Sequence, residues 1–257
     1  MGTSAGDHAI GGMAWKHVTG LEPGHAGDEI EPETHAMTIE MVFLDIGGVL
    51  YDDTVYARAW HRALRDAGAR FTDAEFDEEY TQARTAQSGS FRRRLIARFL
   101  PDGDLRELEA LAARYWHYPP SALYDDALPC LGELQGRYRL GVIANQPGEV
   151  RAAMQRDGLE PFFEVWGVSD DLGVGKPDPA LFELAMKAAD VAPEAGVMVG
   201  DRLDYDIRPA KQVGLTAIWM LRGEAPDDPT PEQLAETDGA VRSLAELPAE
   251  LERLSST

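Results

Sequence analysis

The sequence predicts an open, doubly wound α/β fold on a parallel sheet, with an α-helical insertion after the first strand. Three observations carry that expectation. The runs MVFLD (41–45), LGVIAN (140–145), GVMVGD (196–201) and LTAIWM (215–220) are short and nearly continuously apolar, as strands covered on both faces should be. Helical patterns at 147–157, 178–189 and 204–213 separate the later runs, and strand–helix alternation is the signature of a parallel sheet. The interval from about 54 to 125 breaks that rhythm and reads as wholly helical.

Taken in order, residues 1–38 are rich in Gly, Ala, Glu and His without sustained periodicity and read as a disordered N-terminal tail. His8, His17, His25 and His35 lie there at irregular spacing, which favours solvated side chains over a metal site. A natural start at Met37 or Met41 is a second reading of the tail. The first strand ends at Asp45. In the insertion, Val55, Ala59, Ala63 and Ala67 fall along one helical stripe, and Thr72 with Glu75 forms a capping box. FRRRLIARFL and DLRELEALAARYWHY continue the helical pattern, and residues 120–138 lead back to the sheet. A GAV strand near 239–241 and a helix over 244–254 complete it. The expected division is tail 1–38, α/β core 39–53 and 126–257, and helical cap 54–125. In such a sheet the ligand crevice lies at the carboxyl ends of the strands. Asp45, Asn145 and Asp201 all fall at such ends.

The formal net charge of −21 argues against nucleic-acid or anionic-membrane partners, because the long-range field repels phosphate polymers. A small phosphorylated ligand remains compatible if local cations or a metal offset that field. The single cysteine, Cys130, excludes an intrachain disulfide and suits a reducing, cytoplasmic setting. It sits in an apolar helical stretch and reads as a buried structural thiol. No apolar run approaches bilayer length, and the N-terminus lacks the basic-then-apolar pattern of a signal peptide. A monomer or homodimer is expected.

Four local signals stand in a fixed order: DIGGVL (45–50), VIANQ (142–146), GKPDPALF (175–182) and VGDRLDYD (199–206). Over roughly residues 41–245 this order resembles the haloacid dehalogenase-like (HAD) hydrolase superfamily, in the subfamily with a helical C1-type cap on a Rossmann-like core. The resemblance implies a nucleophile, Asp45, that forms an aspartyl-phosphate. It implies Mg2+ held by Asp45, the Gly47 carbonyl and Asp201, with Asp206 supporting it through water. Lys176 corresponds to the lysine that neutralises Asp45 and the transferring phosphoryl group. Asn145, Gly47, Gly48 and Lys176 are expected to contact substrate, and the cap is expected to close over the crevice.

Each residue also has a plainer reading. Asp45 alone is a strand-end acid, and Lys176 alone a loop lysine. GVGK is no phosphate-binding loop, since proline follows the lysine and the glycine spacing is wrong. Asp201 and Asp206 flank a helix start, where acids favour the dipole, with Asp204 the N-cap candidate. Asp52 and Asp53 read as solvated loop charge. Of Arg92, Arg93 and Arg94, at least two are expected on a solvated helix face, because successive residues point about 100° apart.

Two positions depart from the family pattern. Gly47 stands where phosphatases of this type carry the acid that protonates the leaving group. Ala144 stands where Ser or Thr usually bonds the phosphoryl group; Asn145 either replaces it or bonds backbone in the turn. One reading is therefore a phosphatase of substrates with good leaving groups, such as sugar 1-phosphates or acyl phosphates. Another recruits a donor from Tyr51, Tyr115, Trp116, His117 or Tyr118, although an aromatic run in a helical cap also suits packing. A 2-haloacid dehalogenase lacks the second acid too, but it carries an aromatic there and needs no metal, which fits GDRLDYD poorly. A catalytically weak member binding a phosphorylated metabolite or a protein partner is the third reading. A phosphomutase would need the missing acid even more.

Overall fold

The computed structural model describes residues 38–256, so the predicted tail and its four histidines, apart from Thr38, lie outside the described residues. Six strands form one sheet: β1 (Met41–Leu44), β2 (Arg139–Ala144), β3 (Val165–Val168), β4 (Gly196–Gly200), β5 (Thr216–Met220) and β6 (Gly239–Val241). Their order is β3-β2-β1-β4-β5-β6 and every neighbouring pair is parallel. Five α-helices lie between β1 and β2: α1 (Thr54–Asp66), α2 (Asp73–Ala86), α3 (Phe91–Phe99) and α4 (Leu105–Ala113) in the insertion, then α5 (Ala127–Leu134). They are followed by α6 (Val150–Arg156), α7 (Ser169–Leu172), α8 (Pro179–Ala189), α9 (Arg208–Gln212), α10 (Pro231–Leu234) and α11 (Leu247–Ser255). No helix among the described residues is long and apolar enough to cross a membrane.

Alternate strand residues feed two separate apolar layers, which explains why the strands read as unbroken apolar runs. Val42 and Leu44 join Val142, Val199 and Ile218 beneath Leu131 of α5, Met154 of α6 and Leu251 of α11. Met41 and Phe43 join Ile143, Met198 and Trp219 beneath Leu181, Phe182 and Ala185 of α8. Cys130 is buried in the first layer, and that burial pushes its thiol up to about 12, as befits an inert structural cysteine. Strand β3 is an addition to the expected set; its four residues, VWGV, are too few to show a period.

The four inserted helices have an apolar centre of their own, formed by Trp60, Leu64, Phe76, Phe91, Leu95 and Leu108. The capping box is present: Glu75 N donates to Thr72 Oγ1 (3.2 Å), and Thr72 N donates to Glu75 Oε2 (2.8 Å). The predicted stripe on α1 is displaced. Ala59 and Ala63 are buried, but Ala67 is exposed and Val55 packs against the sheet layer. Trp60 and Leu64 occupy the buried face because they remove more apolar area from water. The insertion is not helical throughout. Helix α4 ends at Ala113, and Pro119 pushes the residue before it away from helical backbone. Only Arg93 of the arginine run is fully exposed; Arg92 pairs with Glu109 (2.6 Å) and Arg94 with Glu79 (2.8 Å).

Gln87, just after α2, ties the insertion to the sheet domain. It is buried and holds left-handed backbone (φ 46°). Its Nε2 donates to Glu224 O (2.7 Å) and its Oε1 accepts from Leu203 N (2.8 Å). Gln87→Leu keeps the bulk but leaves the Leu203 N–H buried without a partner. Equilibrium denaturation should show a loss of about 1–3 kcal/mol; an unchanged midpoint would remove this clasp from the account.

Candidate active site

The order 3-2-1-4-5-6 reverses direction between β1 and β4, and a crevice opens there at the strands' carboxyl ends. Asp45 follows β1, Asn145 follows β2 and Asp201 follows β4, while Lys176 comes from the loop before α8. All four line one cleft of about 900 Å³. Its other walls include Trp60, Arg92 and Trp116 from the insertion and Arg202 and Glu224 from the sheet domain.

Lys176 is the hub. Its Nζ lies 2.6 Å from Asp206 Oδ1 and 3.0 Å from Asp45 Oδ2, and it donates to Ile143 O at 3.1 Å. Burial works against the ammonium charge, but Asp206 and Asp45 outweigh it and hold the lysine above its ordinary pKa. Asn145 fixes the loop that carries it: Asn145 Nδ2 donates to Lys176 O (2.8 Å), and Lys176 N donates to Asn145 Oδ1 (2.7 Å). Of the two roles open to Asn145, the backbone-bonding one is present.

Asp206 lies in a wide turn of π type, Leu203–Ile207, and its Oδ2 accepts from Arg202 N (2.9 Å). Asp204, the expected N-cap, instead pairs with the Arg202 guanidinium at 2.8 Å, and Arg202 takes the cap position without a side-chain cap bond. Asp201 is held by the Glu224 amide, 2.6 Å from its Oδ2, and Trp219 Nε1 donates to its carbonyl (2.9 Å). Gly48 (φ 68°) leaves room for that carboxylate, which a side chain at 48 would strike.

Asp45, Asp201 and Asp206 each offer a carboxylate oxygen within 4.8 Å of the others. Burial, followed by repulsion from Asp206 and opposed by Lys176, pushes Asp45 up to about 7. Burial raises Asp201 well above the usual carboxylate range, with Asp53, Asp206, Asp45 and Glu224 adding to it. A buried excess of negative charge, carried by hard oxygen donors, fits a small divalent cation such as Mg2+.

The loop after β1 corrects the reading of Asp52 and Asp53. Gly48 N donates to Tyr51 O (2.7 Å) and Tyr51 N to Ile46 O (2.9 Å), folding the chain back on itself. Both acids are consequently half-buried rather than solvated. Asp52 accepts from Thr54 N and Oγ1 (2.9 and 2.7 Å), while Asp53 faces the cleft beside Gly47. Burial, with Glu224 and Asp45 nearby, raises Asp53 well above the ordinary range. Among the other donors considered, Tyr51 is bonded to Asp157 (2.9 Å) and Tyr115 to Asp66. His117 is exposed at the cleft edge and Trp116 lines the cleft, whereas Tyr118 is buried and bonded to Asp53.

A family model for haloacid dehalogenase-like hydrolases matches residues 39–214, a span that contains Asp45, Asp53, Asn145, Lys176, Asp201 and Asp206. The chain belongs to the haloacid dehalogenase-like hydrolases. Among relatives in that family, a phosphoserine phosphatase of Thermus thermophilus is 34% identical over 178 residues, 66% of this chain and 70% of that one. A HAD phosphatase structure from Thermococcus onnurineus is 27% identical with a TM-score of 0.56, covering 83% of this chain and 98% of its own. A 2-haloacid dehalogenase structure from Pseudomonas syringae pv. Tomato DC3000 is 28% identical with a TM-score of 0.55, covering 84% and 99%. This HAD-like hydrolase thus has both phosphatase and dehalogenase kin, and the contents of its own cleft bear on the choice.

Proposed function

We propose that the chain is a Mg2+-dependent phosphatase of a small phosphorylated metabolite, with Asp45 as the nucleophile. The observation that carries this reading is the convergence of Asp45, Asp201 and Asp206 around one cation-sized space beside Lys176. A dehalogenase of this type needs no metal, so a cluster able to hold one favours phosphoryl transfer. Asp45 and Asp201, with the Gly47 carbonyl, would hold Mg2+, and Asp206, already bonded to Lys176, would support it through water. The ion would supply positive charge where two anions must meet.

The protein's own groups then divide the work. Lys176 favours the ionised, nucleophilic form of Asp45 and keeps a positive charge next to the attacking oxygen. Asn145 holds the Lys176 loop in register with β2, and its second amide hydrogen remains for a phosphoryl oxygen. The backbone of Gly47 and Gly48 borders the phosphoryl position. The inserted helices, acting as a cap over 54–125, cover the cleft and exclude water during transfer. Arg92, on the cap side, suits an anionic substrate far from its phosphate.

Phosphate release should be measured from phosphoserine, sugar phosphates, acetyl phosphate and 4-nitrophenyl phosphate, with chloride release from 2-chloropropionate alongside. The expected result is Mg2+-dependent phosphate release that EDTA abolishes, a rise in Tm on adding Mg2+, and no chloride. EDTA-insensitive turnover, or chloride without phosphate, would contradict the proposal.

A further inference from the structure

Position 47 has no side chain, yet the space into which one would project is filled. A β-carbon on Gly47 would lie 2.7 Å from both Cγ and Oδ2 of Asp53, well inside van der Waals contact. The Asp53 carboxyl thus occupies the volume next to the nucleophile's loop, entering it from the residue that precedes α1. Both Asp53 and Asp45 line the cleft.

Helix capping does not account for this placement. Asp53 makes no side-chain hydrogen bond to the first turn of α1, and the local turn bonds to Thr54 come from Asp52. No cation among the described residues pairs with Asp53. What holds it is a chain of donors that starts at Gln146 and passes through Tyr118. Gln146 Nε2 donates to Tyr118 Oη (3.0 Å), and Tyr118 Oη donates to Asp53 Oδ1 (3.4 Å). Tyr118 is itself fixed by burial and by stacking on Tyr51, with ring centroids 4.6 Å apart. One Asp53 oxygen is engaged by that chain, and the carboxyl sits at the cleft wall beside Gly47.

We propose that Asp53 is the proton donor and acceptor of this site, replacing from the far end of the loop the side chain that Gly47 lacks. The inference rests on the phosphatase reading above. In the first half-reaction an Asp45 oxygen bonds to phosphorus and the ester P–O bond breaks. The departing oxygen keeps the bonding pair and takes the proton from the Asp53 carboxyl. In the second, the Asp53 carboxylate takes a proton from water as the water oxygen bonds to phosphorus, and the P–O bond to Asp45 breaks. Alcohol and inorganic phosphate leave, and both carboxyls return to their starting states. Tyr118 and Gln146 are positioning residues. The preference for good leaving groups that Gly47 alone suggests is then unnecessary.

The test compares full-length wild type with Asp53→Asn on phenyl phosphate and 4-nitrophenyl phosphate, which share a shape and differ in leaving-group quality. Asp53→Asn should lose about 10²–10⁴ in kcat/KM on phenyl phosphate, the usual span for a lost acid/base. It should lose at least about tenfold less on the 4-nitrophenyl ester, whose oxygen leaves without help. A burst of nitrophenolate should precede slow turnover. A second variant, Gly47→Asp combined with Asp53→Ala, moves the carboxyl to position 47 and should regain most of the lost rate on phenyl phosphate. Equal losses on both esters with no burst, or phenyl phosphate turnover within about threefold of wild type, would overturn the assignment. Wild type inactive on both esters in Mg2+ would contradict the phosphatase reading and this assignment with it. An active wild type with an indifferent Asp53→Asn would overturn only the latter.

Discussion

Asp45→Asn is expected to abolish turnover, by about 10⁶-fold, the scale seen when a covalent nucleophile is removed. It should also make the metal-free protein more stable at neutral and higher pH. The two effects share one cause. Asp45 is buried next to Asp206, so its carboxyl keeps a proton to about pH 7 in the folded chain, against an ordinary value of 3.8. Between those values the native state holds a proton that the unfolded chain has already released. Stability of the metal-free protein therefore falls as pH rises through that window. Asparagine has no charge to bury and removes this contribution. Thermal melts of both proteins in EDTA, from pH 5 to pH 8, should diverge with the variant higher at the alkaline end. A variant that loses stability across the whole range would place the Asp45–Lys176 attraction above the burial cost, opposite to the balance inferred here.

Lys176→Met should act in the other direction on stability. It deletes the cation that lies between Asp45 and Asp206 and leaves both carboxylates facing each other in a buried space. Breaking a buried pair in this way costs about 3–5 kcal/mol. For a domain of this size that is a fall in Tm of about 6–20 °C. Turnover should drop by about 10²–10³-fold, as when one preorganised donor at a developing charge is removed. Saturating Mg2+ should return part of the Tm and little of the rate, because the ion can offset charge but cannot replace a cation beside the attacking oxygen. Calorimetry with and without Mg2+, alongside initial rates, checks both. An unchanged Tm with lost turnover would show that the lysine acts on the reaction alone.

The sheet was legible because strands buried on two faces leave unbroken apolar runs, and four of the five predicted strands end within one residue of their observed carboxyl ends while the fifth, GAV, coincides with β6. The convergence of Asp45, Asn145 and Asp201 followed from placing those ends in one parallel sheet. Short elements carried too little signal, as β3 shows. The alanine stripe on α1 misled because periodicity weighs Ala67 like Trp60, although burial energy scales with area. Asp53 was out of reach for a different reason. Five residues lie between it and Gly47, and the turn at Gly48, with its positive φ, brings the two together. Two adjacent acids in a loop look like solvated charge. Likewise Gln87 gives no local sign that it will bond to chain more than 100 residues away. Tyr118 reads in the sequence as packing or as a proton donor to the leaving group; in the structure it stacks on Tyr51 and hydrogen-bonds to Asp53.

In the proposed reaction the phosphoryl group passes through Asp45. Full-length protein mixed with Mg2+ and 4-nitrophenyl phosphate, quenched in acid within the first turnover and digested, puts that step to mass spectrometry. One added phosphoryl group is expected on the peptide containing Asp45, located at that residue and missing from Asp45→Asn. Release of nitrophenolate with no phosphoryl group on Asp45 at any quench time, or with the group on another residue, would contradict it.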